Sequence, residues 1–152
     1  MINYKFSMVF ANILIGTASL AQDHGFNGPY FGVVERVVDG DNFEAKVEIW
    51  PTISSTVSVR IRGIDAPELF RHEYLQEALG AADALGDMIE ILPIGTRVRL
   101  ENVEAAAFSG SVVANILRQG TDRGRIIVEL MMNRGNVVLL TPDQPNIEWC
   151  FE

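Results

Sequence analysis

From Tyr30 onward the chain is punctuated into short runs of two-residue period and one long run near the helical period. Phe31, Val33, Val34, Val37 and Val38 make a strand-like run that stops at Asp39-Gly40. That dipeptide predicts a hairpin, because both turn positions of the tightest hairpins take positive φ. The next stretch alternates cleanly, with Phe43, Ala45, Val47 and Ile49 on one face and Asn42, Glu44, Lys46 and Glu48 on the other. Pro51 to Ser55 reads as a polar loop. In the third strand Val57, Val59 and Ile61 point to a core, which leaves Ser58, Arg60 and Arg62 together on the opposite face.

Gly63-Ile64 then leads into Asp65-Ala66-Pro67-Glu68, which has helix-start chemistry: an Asp cap, an early Pro, and a Glu three residues after the Asp. Leu75, Leu79, Ala82, Leu85, Ile89 and Leu92 follow near the 3.6-residue period and predict the buried face of a helix, stopped by Pro93 and Gly95. Arg97 to Val103 alternates again. Ala105 to Gly110 reads as a loop of small residues, and Ser111 to Leu117 as an apolar strand buried on both faces. Gly120 to Gly124 predicts a turn, Ile126 to Arg134 a short helix stopped by Gly135, and Asn136 to Leu140 a last short strand. The expected fold is mostly β with helices (α+β): a five-stranded OB-type barrel with a helix between strands three and four and a short C-terminal helix.

The 152 residues hold 12 basic and 20 acidic side chains, a net charge of -8, which argues against tight nonspecific binding to nucleic acid. A local basic cleft or a bound metal ion would be needed to offset it. The amino terminus reads as a targeting segment. Phe6 to Leu20 is largely apolar after a weakly basic start, and Ser19 and Ala21 stand at the -3 and -1 positions before Gln22. The chain therefore divides into a signal peptide over 1–21, a flexible lead-in over 22–29, one domain over 30–140 and a tail over 141–152. Secretion or export to a periplasm is expected, with no membrane attachment after cleavage; an uncleaved N-terminal anchor is the alternative. Cys150 is the single cysteine, so no intrachain disulfide can form, and a monomer is the default expectation. His24 and His72 have no cysteine partners with which to build a zinc site.

The order of the motifs resembles the staphylococcal nuclease (thermonuclease) family. Val37-Val38-Asp39-Gly40-Asp41 looks like that family's first strand and Asp-Gly-Asp hairpin, and Val59-Arg60-Ile61-Arg62-Gly63-Ile64-Asp65-Ala66-Pro67-Glu68 like its third strand and Asp-x-Pro-Glu motif. The Gly95-Thr96-Arg97-Val98 and Val112-Val113-Ala114 segments follow in family order, so the resemblance spans roughly Tyr30 to Leu140. It implies a calcium-dependent nuclease acting on single-stranded DNA or RNA, with weak substrate binding expected from the charge. By the same resemblance Asp41 and Asp65 supply carboxylates to calcium and Ala66 a backbone carbonyl, oxygen ligands that suit a hard cation. Glu68 matches the general base and Arg60 a phosphate-binding arginine. Taken singly, Asp41 is also a hairpin residue, Asp65 and Glu68 a capping box, and Arg60 a solvated strand residue.

One departure stands out. Where the family places a second arginine, Ala107-Phe108-Ser109-Gly110-Ser111 puts Ser111. Losing one pre-aimed donor of this kind costs on the order of a hundred- to a thousandfold in rate. Asp122-Arg123-Gly124-Arg125 looks superficially like the missing motif, but using it would remove Ser111 to Leu117 from the barrel; Arg62 and Arg71 are other possible substitutes. Two alternatives stay open beside a weakened hydrolase: a catalytically inactive nuclease-like binding domain, and an OB-type module for sugars or protein partners, which a nonacidic cleft with exposed aromatics would favour.

Overall fold

The structure, a computed structural model, describes residues 28–68, 75–106, 110–120, 126–141 and Trp149. The elements in chain order are β1 (Tyr30–Val37), β2 (Asn42–Trp50), β3 (Ile53–Ile61), β4 (Ile64–Asp65), α1 (Leu75–Ile91), β5 (Arg97–Ala105), β6 (Val112–Arg118), α2 (Ile127–Arg134) and β7 (Val138–Leu139). Five of the strands close a barrel in the order β1-β2-β3-β6-β5, and β4 pairs with β7 beside it. β3 runs parallel to β6, while β5 is antiparallel to both β6 and β1. This is the OB-type α+β arrangement expected from the sequence, with α1 between the third and fourth barrel strands.

Alternation explains the barrel interior. Phe43, Ala45 and Val47 of β2, Val59 and Ile61 of β3, Val98 and Leu100 of β5, and Ala114 and Ile116 of β6 all point inward and are buried. β6 is buried on one side only; Val113, Asn115 and Leu117 between its inward residues are half-buried, so the expectation of a strand enclosed on both faces does not hold. Ile49 also departs from its alternation. A register shift between Glu48 and Trp50 leaves it exposed. The expected loop from Pro51 to Ser55 is shorter than that, since β3 already begins at Ile53 and only Pro51 and Thr52 form the turn.

Helix α1 buries a different stripe from the one its leucines predict. Ala81, Ala84, Met88 and Ile91 face the core, whereas Leu75 is 76% exposed and Leu79 59% exposed, with Ala82 and Ile89 also open to solvent; of the expected face, Leu92 is buried and Leu85 half-buried. The helix carries two apolar stripes of helical period, and close approach selected the one with small residues. A Cβ on Gly40 would lie 2.6 Å from the Ala84 Cβ and 2.7 Å from the Ala66 Cβ. Gly40 is therefore required by packing; its φ is not positive, contrary to the turn chemistry expected for it. Asp65 and Glu68 do not cap a helix either. Asp65 lies in β4, and residues 66–68 are not helical.

The carboxy-terminal elements follow the sequence closely. α2 ends at Gly135, whose φ of 86° is the left-handed cap that glycine adopts without strain. Met131 and Ile127 bury against the core, and Asn136 donates from Nδ2 to Asp87 of α1 at 2.7 Å. Arg118 donates to the carbonyl of Ile91 at 3.1 Å, satisfying one of the open carbonyls at the end of α1. Among the described residues no helix is long and apolar enough to cross a membrane. The expected signal peptide, the Gly120–Gly124 turn beyond residue 120, Arg71, the Asp122–Arg125 motif and Cys150 lie outside the described residues.

Candidate functional site

The site is built where the β1–β2 loop meets the end of β3. Asp39 accepts from the backbone N–H groups of Asp41 at 3.1 Å and Asn42 at 2.8 Å, folding the loop onto its own side chain. The carbonyl of Asp41 accepts from the N–H of Ile61 at 2.9 Å, which fixes the loop to β3. α1 closes over the loop at Gly40. As a result Asp41 is buried, with 4% of its surface exposed, and it is the one buried charged residue among those described.

Arg60 reaches this point from the outward face of β3, where its backbone is the Cα partner of Asn42. Its Nη2 atom lies 3.0 Å from Asp41 Oδ2 and 2.5 Å from Asp65 Oδ1. Asp65 comes from β4, held by its pairing with Val138. Three residues from three elements thus converge on a single nitrogen atom. The contact to Asp65 is a hydrogen bond. The contact to Asp41 Oδ2 is a charge contact without hydrogen-bond geometry, so that buried oxygen has no donor. Its twin, Oδ1, accepts from Asn42 Nδ2 at 2.7 Å.

Burial of this carboxylate is the largest of several causes that push Asp41 up to about 8. Interaction with the Asp39 side chain favours the protonated form, and the charges of Asp39 and Asp65 act in the same direction, while Arg60 opposes them. Two carboxylates therefore share one guanidinium, with a third, Asp39, close behind Asp41. The arrangement is short of positive charge, and an orphaned carboxylate oxygen at its centre is what a cation would satisfy. Asp39 is spent on its own loop, and no three acidic, His or Cys side chains converge to hold a metal among the described residues. A cation here would have two carboxylates, from Asp41 and Asp65, and would complete its shell with backbone carbonyls and water. Hard, flexible calcium accepts such a mixed oxygen set. Ala66, the expected carbonyl donor, is buried directly after Asp65.

Glu68 is exposed, three residues beyond Asp65, and makes no hydrogen bond or ion pair among the described residues. Ser111 immediately precedes β6, and its carbonyl accepts from Ala106 at 2.9 Å. Alternation places it on the outward side with Val113, the Cα partner of Arg60. β6 occupies Val112–Arg118, so the register that keeps Ser111 before the barrel strand is the one the fold adopts. Arg62 does not turn toward the acidic cluster. Its Nη2 donates to the Asn102 carbonyl at 2.8 Å, and it pairs with Glu104 at 3.2 Å.

One participant had no signal in the sequence. Trp149 Nε1 donates to Asp65 Oδ2 at 3.3 Å across 84 residues of chain. An aromatic residue in a short tail carries no local pattern that would assign it to a distant carboxylate. Asp39 was legible as a turn residue, but its role in orienting Asp41 and Asn42 was not. No protein-family model matches the sequence, and no curated protein matches it.

Proposed function

We propose that this chain is an exported, staphylococcal-nuclease-like protein that hydrolyses phosphodiester bonds in single-stranded DNA or RNA with calcium, at a rate weakened by the absence of a second arginine. The observation that carries the reading is the convergence of Asp41, Asp65 and Arg60 on one point, with Asp41 buried and its Oδ2 lacking a donor. Burying a carboxylate without a full set of partners costs several kcal/mol, about 3 to 5, unless something of opposite charge binds there. A surface turn has no use for that cost; a cation site does.

Asp41 and Asp65 would hold the ion, with the Ala66 carbonyl as the third oxygen ligand. Calcium bound there would polarise a phosphate oxygen and offset the acidic surroundings. Arg60 Nη2 fills the space between the two carboxylates. An ion held by the same two carboxylates would compete with this guanidinium, and Arg60 would then be available for charge-assisted bonds to a phosphate. Trp149 and Asn42 each hold one oxygen of Asp65 and Asp41, which fixes the orientation of the carboxylates. Glu68, exposed and unpaired among the described residues, is available to take a proton from the attacking water.

A second reading, a nuclease-like binding domain without catalysis, is favoured by Ser111, whose short neutral side chain cannot stabilise a five-coordinate phosphate. Cleavage of single-stranded DNA by the protein from Gln22 onward, with calcium and with chelator, separates the two. Calcium-dependent cutting that Glu68→Gln removes supports the hydrolase. No cutting by the wild type at high enzyme concentration overturns it, and recovery of cutting in Ser111→Arg would assign the loss to that position.

A further inference from the structure

The outer face of a barrel is expected to be polar where its strands alternate. Here it is not, around the start of β1. Phe31 is 46% exposed and Val33 also faces solvent, while Trp50, at the end of β2, is 70% exposed. These side chains line one open groove of about 590 Å³ together with Lys46, Glu48 and Arg97.

The registers show how the groove is laid out. Lys46, Val33 and Arg97 are successive Cα partners across β2, β1 and β5, and so stand in one row on the same face. With strands ~4.8 Å apart, the two cations sit roughly 10 Å from each other on either side of Val33. Glu48 and Phe31 form the next row, two residues along. Neither Lys46 nor Arg97 makes a side-chain hydrogen bond or ion pair among the described residues. This contrasts with the paired Arg36–Glu44 and Arg99–Glu101 nearby. An apolar floor with an aromatic wall is thus flanked by two unneutralised cations, in a protein whose total charge is -8.

We propose that this groove binds single-stranded nucleic acid, with bases stacked on Phe31 and Trp50 and phosphates held by Lys46 and Arg97. Stacking platforms beside cations are how single strands are bound without sequence preference. A peptide that adds a strand needs a free sheet edge, and the barrel is closed. A neutral sugar could stack on the aromatics and accept hydrogen bonds from the two cations, but it would leave their charge unneutralised. The groove also connects to the acidic cluster. Arg60, Ser58, Thr56 and Ser54 share the outward face of β3, and Ser54 lines the groove. Six residues of strand separate Arg60 from Ser54, a path of ~20 Å that a few nucleotides cover. The proposal shares with the nuclease reading only the premise that nucleic acid is the ligand.

The test is fluorescence anisotropy of a fluorescein-labelled oligothymidylate, titrated in chelator at low salt so that no metal site is loaded. The wild type is expected to bind saturably. Trp50→Ala weakens binding about tenfold, within the range for one stacked base. Lys46→Glu with Arg97→Glu weakens it further and lowers the salt dependence. Arg134→Gln, exposed on α2 and outside the groove, changes it less than twofold. All these side chains are exposed or half-exposed, and unchanged melting curves confirm folding. Absence of saturable binding overturns the proposal, as does equal binding by the wild type and the groove variants. Cutting by a wild type whose groove variants bind normally would sink the groove and leave the nuclease reading standing. Groove-dependent binding without any cutting would do the reverse.

Discussion

Replacing Asp41 with asparagine should stabilise the metal-free protein at neutral and alkaline pH. The native carboxyl is pushed from 3.8 up to about 8, mainly by burial. Between those values the folded state holds a proton that the unfolded state releases, so stability falls as pH rises from about 4 to about 8. Below that window both states are protonated and the group contributes no penalty; above it the penalty is complete. At pH 7 the window already crossed is worth about 4 kcal/mol at roughly 1.4 kcal/mol per unit. Asp41→Asn removes that penalty, in which the attraction of Arg60 is already counted, but leaves a buried amide donor facing the Arg60 guanidinium, at a cost of about 2 kcal/mol. The net gain is about 2 kcal/mol, which for a domain of this size raises Tm by roughly 10 °C. The bond from Asn42 Nδ2 can persist, since the asparagine oxygen accepts as the carboxylate did. Thermal unfolding followed by circular dichroism in chelator, at pH 5, 7 and 8.5, measures the difference between wild type and variant. That difference should be small at pH 5 and grow with pH. A variant less stable than wild type at pH 8.5, or a difference that shrinks as pH rises, would refute the assignment of Asp41 as a buried, strained carboxyl.

Three further outcomes follow from the packing around the site. Gly40→Ala places a Cβ against the backbone-anchored methyls of Ala66 and Ala84, and should cost about 1 to 3 kcal/mol in urea denaturation, with a lowered midpoint and an unchanged slope. In a Trp50→Phe background Trp149 is the remaining tryptophan, and its bond to Asp65 predicts that calcium shifts its emission in wild-type Asp65 but not in Asp65→Asn. Gly135→Ala, at a φ of 86°, should destabilise by about 1 kcal/mol without affecting calcium binding; an equal loss of calcium affinity would mean that α2 couples to the site more directly than its position suggests.

Much of the barrel could be read along the chain because strand alternation is a local signal. Phe43, Ala45 and Val47 point inward as their spacing predicts, and Arg60 lies on the outer face for the same reason. The approach of Asp41, Arg60 and Asp65 to one another was legible only as a motif order, and the strand registers supply its geometry. What periodicity could not decide was which of two apolar stripes α1 would bury. Larger leucines lost to Ala81 and Ala84 because the acidic loop needs the helix backbone close, a constraint set by residues more than forty positions away. The same limit applies to Gly40, whose role is contact rather than turn conformation, and to Trp149. Outward-facing Phe31 and Val33 were visible as apolar positions, but one run of β-branched and aromatic residues does not reveal which of its members face solvent.

Isothermal calorimetry with calcium decides whether Asp41 and Asp65 together hold a divalent cation. Wild-type protein should bind one calcium per chain, with affinity lost in both Asp41→Asn and Asp65→Asn and raised in Arg60→Gln, where the competing guanidinium is gone. Absence of binding by the wild type, or binding that survives both carboxylate substitutions, would contradict that role.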